Sequence, residues 1–238
     1  MKKIFIKEKL KSLGVDLENI VLGDFDIIGE YSAKKNRSRD KEQYRTAGCF
    51  FRPNYERGIL MYYLTEKKNF KTVLEIGFGR GYSTLCIAKA MCDHNIDGKI
   101  TTVDPSLDED FINQLFKIFP AQWFEKIDFV KKTSDDYFKE NKDKKYDFVY
   151  IDGDHRYEAV KNDWENSKNN FKKALLFDDY HMPTKNQKDI ECSMLIDQIN
   201  DDYKKELIIM DRRIFFDDRQ IKDKDIDYGQ VLIEKKNI

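Results

Sequence analysis

Four residues late in the chain, Asp152, His155, Asp178 and Asp179, are of the types that move protons or hold cations. Asp152 and His155 fall in Y-I-D-G-D-H-R-Y (150 to 157), and the adjacent acids in L-F-D-D-Y-H (176 to 181). Each group follows an apolar run that reads as a buried strand, so all four should meet where two strands end. Three acids gathered there need a proton or a cation, and hard carboxylate oxygens favour Mg2+ or a similar ion. Asp152, Asp178 and Asp179 are therefore candidate metal ligands; the plainer reading is that they cap helices or hydrogen-bond a ligand. His155 can accept a hydroxyl proton near neutral pH, which makes it the candidate general base beside Asp152, against a purely structural hydrogen bond. Asp154 could orient the ring or join the metal. His181 sits just beyond the acid pair, and Arg212 with Arg213 precedes I-F-F-D-D-R; His181 and Arg212 are the candidate substrate contacts. An arginine pair can grip a phosphate or carboxylate, although surface ion pairing is its commoner use.

A second chemical stretch is V-L-E-I-G-F-G-R-G-Y-S-T-L, residues 73 to 85. A short apolar run turns through Gly77, Gly79 and Gly81 into a helix that carries Ser83. Glycine permits positive φ and removes the Cβ, so backbone N–H groups can approach a bound molecule at a helix N-terminus. The spacing is G-x-G-x-G, whereas the dinucleotide fingerprint is G-x-G-x-x-G and the P-loop ends in G-K-[ST]. Glu75 suits a cationic or hydroxyl-bearing ligand better than a pyrophosphate. The alternative is a turn that only packs helix on strand. The next strand ends at Asp104 in T-V-D-P, where an acid can take two ribose hydroxyls. The third is followed by Thr133, Ser134 and Asp135.

Taken together, E-I-G-F-G-R-G-Y, T-V-D-P, Y-I-D-G-D-H-R-Y-E-A-V-K-N-D and L-F-D-D-Y-H resemble the class I S-adenosylmethionine-dependent methyltransferases, over about Glu56 to Glu234. Within them the resemblance is to small-molecule O-methyltransferases of the catechol and macrolide-sugar type. It implies S-adenosyl-L-methionine as cofactor, with its methionine part on Glu75, Gly77, Gly79, Gly81 and Ser83, its ribose on Asp104, its adenine beside Ser134 and Asp135, and Asp152 close by. Catechol-type enzymes hold a divalent ion with an acid after strand four and a pair after strand five. Here the pair is Asp-Asp, where they usually carry Asp-Asn, and that leans toward the sugar-modifying side. His155 stands where they place a lysine base. The implied activity is metal-assisted O-methylation of a small molecule such as a sugar or nucleotide-sugar. Ribose or protein methylation is the alternative enzyme reading, and a cofactor-binding relative resembling cephalosporin hydroxylase, without transferase activity, is the other. There is no N-P-P-Y or Pro-Cys motif of the base-directed enzymes.

The elements that must position these groups follow the strand–helix alternation of an α/β protein. Strands are expected at 73–76, 99–103, 127–130, 146–151, 174–177, 207–210 and 231–234, and helices at 55–67, 83–91, 108–119, 157–171 and 190–199. The expected fold is a Rossmann-like, doubly wound, seven-stranded sheet, mostly parallel, with an antiparallel last strand implied by the resemblance. Residues 1–54 read as a cap and lid segment and 55–238 as the cofactor-binding domain, one compact unit overall. The cap should begin with an amphipathic helix from Met1 to Leu13, closed by Gly14. Basic residues from 31 to 45 form either an anion-binding lid or a solvated loop. Lys and Arg total 43 against 44 for Asp and Glu, a net charge of −1 that gives no electrostatic reason to expect nucleic acid or an anionic membrane. The expected partner is a small hydroxyl-bearing acceptor, with a homo-oligomer left open. Four cysteines without a C-x-x-C pair suggest reduced thiols in a cytoplasmic protein.

Overall fold

The computed structural model describes residues 1–21, 24, 34–38, 41–46, 49–51, 55–180, 191–200, 202–210 and 229–236. In chain order the elements are β1 (Lys2–Phe5), α1 (Ile6–Ser12), β2 (Lys34–Ser38), β3 (Lys41–Thr46), β4 (Cys49–Phe51), α2 (Tyr55–Lys68), β5 (Thr72–Ile76), α3 (Tyr82–Asp93), β6 (Lys99–Val103), α4 (Glu109–Phe116), α5 (Ala121–Phe124), β7 (Ile127–Val130), α6 (Ser134–Glu140), β8 (Tyr146–Ile151), α7 (Tyr157–Ser167), β9 (Phe171–Tyr180), α8 (Cys192–Gln198), β10 (Tyr203–Ile209) and β11 (Gly229–Lys235). A short 3-10 turn covers Leu17–Asn19.

One sheet has the order β1-β10-β11-β9-β8-β5-β6-β7. β5 pairs in parallel with β6 and β8, β6 with β7, and β8 with β9. β11 runs antiparallel to both β9 and β10, as expected of the last strand. The carboxyl ends of β5, β6, β8 and β9 thus share one rim, with the strand order reversing between β5 and β8, the place where such sheets bind ligands.

Both faces of the sheet are covered, which explains why its central strands read as unbroken apolar runs. In β8, Phe148 and Tyr150 join the core under α1 to α5, while Val149 and Ile151 join the core under α6, α7 and α8. Adjacent residues alternate between faces because the strand period is two.

Two expectations are corrected. The sheet has eight strands rather than seven, because Lys2–Phe5 forms β1 where a helix from Met1 was expected. Lys2 to Phe5 align with Glu206 to Ile209 at the edge, and helix begins only at Ile6. Over four residues a helical and an alternating pattern cannot be told apart; the open edge of β10 decides. Of the basic stretch, residues 34–38 and 41–45 pair as the antiparallel strands β2 and β3, where a solvated loop was one expectation. No helix among the described residues is long and apolar enough to cross a membrane.

Candidate active site

The turn after β5 makes a cradle with one closed wall and one open side. Gly77 has φ +92°, and a Cβ there would lie 2.2 Å from the carbonyl oxygen of Asp152, so the turns after β5 and β8 are in direct contact. Gly79 has φ +53° with nothing within 4 Å of its Cβ position. That open side is where a ligand can reach the backbone. Asp104, just after β6, faces the same loop: its Oδ2 accepts the backbone N–H of Phe78 at 3.0 Å and of Gly79 at 3.3 Å. Its Oδ1 accepts from the Ser106 backbone at 2.7 Å and hydroxyl at 2.6 Å. Burial opposes the charge on Asp104, yet the hydrogen bonds from Ser106, Gly79 and Phe78 hold its carboxyl below the usual range.

Beneath the cradle, Glu75 is fully buried and accepts hydrogen bonds from Thr84 on α3 and from Thr102 on β6, the latter at 2.7 Å. Burial pushes its carboxyl up to about 7 against those two hydroxyls.

The acids gather as expected, around a group that was not. β8 and β9 are neighbours with Ile151 beside Phe177, so Asp152 and Asp178 follow at the same level. The Tyr150 hydroxyl lies 3.1 Å from Asp152 Oδ2 and 3.0 Å from Asp178 Oδ2. Gln230 Nε2 donates to Asp178 Oδ1 at 3.0 Å. Arg57, on α2, reaches all three acids: Nη1 is 3.3 Å from Asp152 Oδ2, and Nη2 contacts Asp178 Oδ2 and lies 3.7 Å from Asp179 Oδ1. Burial and then Asp178 drive the Asp152 carboxyl well above the usual carboxylate range, with Arg57 working the other way. Asp179 is held at φ +53° and presents Oδ2 to His155 Nε2 at 3.4 Å. The other ring nitrogen, Nδ1, is 3.8 Å from Sγ of Cys192, a thiol pushed up to about 12 by burial.

Residues 74–180 match a family model described as a methyltransferase domain. That stretch, similar to a methyltransferase domain, holds both the cradle and the acid cluster. Its fold is shared with solved structures of low sequence identity. An O-methyltransferase from Bacillus cereus, in complex with SAH, is 12% identical with a TM-score of 0.53, over 96% of each chain. The O-methyltransferase TomG from Streptomyces achromogenes, in complex with SAM, is 13% identical with a TM-score of 0.53, over 77% of this chain and 81% of that one. The SAH-bound methyltransferase PaMTH1 from Podospora anserina is 13% identical with a TM-score of 0.51, over 77% and 80%. No curated protein sequence matches the chain.

Within the matched stretch, Gly77, Gly79, Gly81 and Asp104 converge on the cradle, and Ser83 is buried in the first turn of α3. Glu75 ties β5, β6 and α3 from below. Ser134 and Asp135 open α6 and face α7. Ser134 bonds the buried Asp163, and Asp135 accepts from Asn162 and from Asn166, the latter at 3.3 Å. Asp154 turns outward to Arg156, whose Nε is 2.9 Å from its Oδ2. His181 and Arg212 lie outside the described residues.

The acids do not fit the three-carboxylate metal site expected of them. Both oxygens of the buried Asp178 are taken, one by Gln230 and the other by Tyr150 and Arg57. Ligand atoms of Asp152, His155 and Asp179 do lie within 4.8 Å of one another. Each of those two acids already gives one oxygen to the Arg57 guanidinium, Asp152 through Oδ2 and Asp179 through Oδ1. Sequence reasoning missed Arg57, Tyr150, Gln230 and the Cys192 contact. Tyr150 was findable, since two residues before Asp152 on one strand means the same face. Gln230, a polar residue entering the apolar run V-L-I, was a second signal. Arg57 gave none, because one more arginine on a charged chain is not a motif.

Proposed function

We propose that this methyltransferase moves the methyl group of S-adenosylmethionine to a hydroxyl of a small molecule, a sugar or nucleotide-sugar in class, with His155 as general base. The observation that carries the reading is the close approach of Gly77 to the Asp152 carbonyl, which sets the glycine turn beside the turn that leads to His155 and supports reading the two as one site. Neighbouring folds that hold SAM or SAH support the donor. The balanced charge of the chain and its acidic rim support a neutral, hydroxyl-rich acceptor over a polyanion.

The chemistry is a displacement at carbon. The acceptor oxygen attacks the methyl carbon, the sulfur–carbon bond breaks, and the sulfonium leaves as the neutral thioether S-adenosylhomocysteine. The hydroxyl proton passes to the His155 imidazole, and the imidazolium is stabilised by Asp179. The His155 side chain keeps 30% of its surface exposed beside the buried Asp179, so an acceptor hydroxyl can reach the ring. Aligning donor and acceptor is the protein's main contribution. Arg57 already supplies a positive charge at this point, so the reading routes no step through a metal.

Calorimetric titration with S-adenosylhomocysteine tests the reading. One-to-one binding, followed by its release as product in a screen of sugar and nucleotide-sugar acceptors, is the expected result. No binding would overturn the donor, and binding with no transfer to any hydroxyl would overturn the acceptor class.

A further inference from the structure

We propose that Arg57 is the resident cation of this centre, standing in the seat a divalent ion would take, so that the cleft works without a metal. The inference deepens the methyltransferase reading and rests on it for the role of the site. Its observations concern the chain's own residues. Two nitrogens of one guanidinium serve three carboxylates, with Nη1 3.3 Å from Asp152 and Nη2 on Asp178 and 3.7 Å from Asp179. A planar, permanently charged fork suits such a task better than an ammonium would.

The helix that delivers Arg57 is pinned. Gly58 follows it on α2, and a Cβ at Gly58 would lie 2.5 Å from the Tyr82 hydroxyl and 2.8 Å from Cys86 Sγ on α3. This close helix packing fixes where the arginine starts, and its side chain is mostly buried. A divalent ion needs carboxylate oxygens at about 2.0–2.6 Å. Asp152 Oδ2 is occupied by Arg57 and Tyr150, and Asp178 Oδ2 by the same two groups. An ion drawing on Asp152 Oδ2, Asp178 Oδ2 or Asp179 Oδ1 therefore competes with the guanidinium for that oxygen. Without Arg57, the three acids would lose the charge that two guanidinium nitrogens bring to them, and a surplus of negative charge on hard carboxylate oxygens is what binds a divalent cation.

Manganese is the probe, read by the loss of its free-ion paramagnetic resonance signal and by calorimetry. The wild-type chain should leave the Mn2+ signal unchanged. Arg57→Ala and the longer neutral Arg57→Gln should each gain one Mn2+ site, at least about tenfold tighter than any wild-type binding, and adding Asp179→Asn should remove it. One-to-one Mn2+ binding by the wild type overturns the proposal, and so does a folded Arg57 variant that gains no site. Circular dichroism identifies variants that fail to fold; the wild-type titration decides even then. S-adenosylhomocysteine binding by the same wild-type sample reports on the methyltransferase reading separately, since its failure leaves the manganese result standing.

Discussion

Oδ2 of Asp104 lies 3.0 Å from the backbone nitrogen of Phe78, so the acid after β6 holds the turn that ends β5. The same oxygen takes Gly79 N–H at 3.3 Å. The carboxylate that the resemblance assigns to a ribose is thus also the clamp on the cradle. Asp104→Asn keeps the shape but weakens acceptance from two amides and the Ser106 pair. S-adenosylhomocysteine binding, by calorimetry, should fall at least about tenfold. Because the folded carboxyl titrates below its unfolded value, its contribution to stability is present above about pH 4 and fades as pH falls through the folded value. Acid unfolding of the Asn variant should accordingly lose part of its pH dependence below pH 4.

Glu75 has the opposite sign. Its folded carboxyl is raised to about 7 from an ordinary 4.5, so the folded state holds a proton that the unfolded state gives up. Stability from this group is full below about pH 4.5 and declines as pH rises toward 7, by on the order of 3 kcal/mol. Glu75→Gln can still accept from Thr84 and Thr102 through its amide oxygen. Urea unfolding at pH 5 and pH 8 should show a smaller drop for the variant than for the wild type; equal drops would mean that Glu75 is not the group responsible.

Two glycines of one turn should respond in opposite ways. At Gly77 a methyl group meets the Asp152 carbonyl at 2.2 Å, and backbone cannot move aside cheaply. Gly77→Ala should cost about 2–4 kcal/mol in denaturant unfolding. Gly79 has open space beside it, and Asn tolerates its left-handed φ. Gly79→Asn should fold with a loss of about 1 kcal/mol or less while S-adenosylhomocysteine binding drops, since the new side chain enters the space reserved for the ligand. Unchanged binding would move the cofactor away from Gly79.

Much of this arrangement was legible in the sequence, because it lies at strand ends. Asp104, Asp152, Asp178 and Asp179 each follow an apolar run, and a parallel sheet brings such ends to one rim whatever the details. The antiparallel β11 came with the resemblance. What was not legible depends on edges and on distant partners. β1 is decided by a free edge on β10 more than two hundred residues later in the chain. Arg57 reaches the acid cluster from α2, which packs closely on α3 at Gly58, and no local pattern carries that information. Glu75 and Ser134 were singled out by residue type, yet each is engaged inside the fold, by threonines and by Asp163 respectively.

The added edge strand brings a buried ion pair with it. Lys9 on α1 bonds Glu206 on β10, and both are almost wholly buried, with the exposed Lys2 3.5 Å from the same carboxylate. Removing Lys9 leaves the buried Glu206 with the exposed and more distant Lys2, so Lys9→Met should cost up to about 3–5 kcal/mol. The pair of changes Lys9→Met and Glu206→Leu should recover most of that loss, because a well-packed apolar pair replaces two desolvated charges. Chemical denaturation of the single and double variants checks it, and a double variant no more stable than the single would show that the charges serve more than each other.

The last test separates base from scaffold. If His155 takes the acceptor proton, His155→Ala should lower methyl transfer by about 10²–10⁴-fold, the range for a lost general base. S-adenosylhomocysteine affinity should stay within about twofold, since the ring faces Asp179 and Cys192 and not the glycine cradle. Asp179→Asn removes the charge that stabilises the imidazolium and should give a smaller loss, concentrated in kcat. Cys192→Ser discriminates further. A serine hydroxyl can still bond Nδ1, whereas a role for the thiol as nucleophile would end with it. The thiol is buried and held up near 12, so it stays protonated at neutral pH and cannot attack. Near-wild-type transfer by Cys192→Ser, alongside a collapse in His155→Ala, is the pattern that assigns the proton to the imidazole.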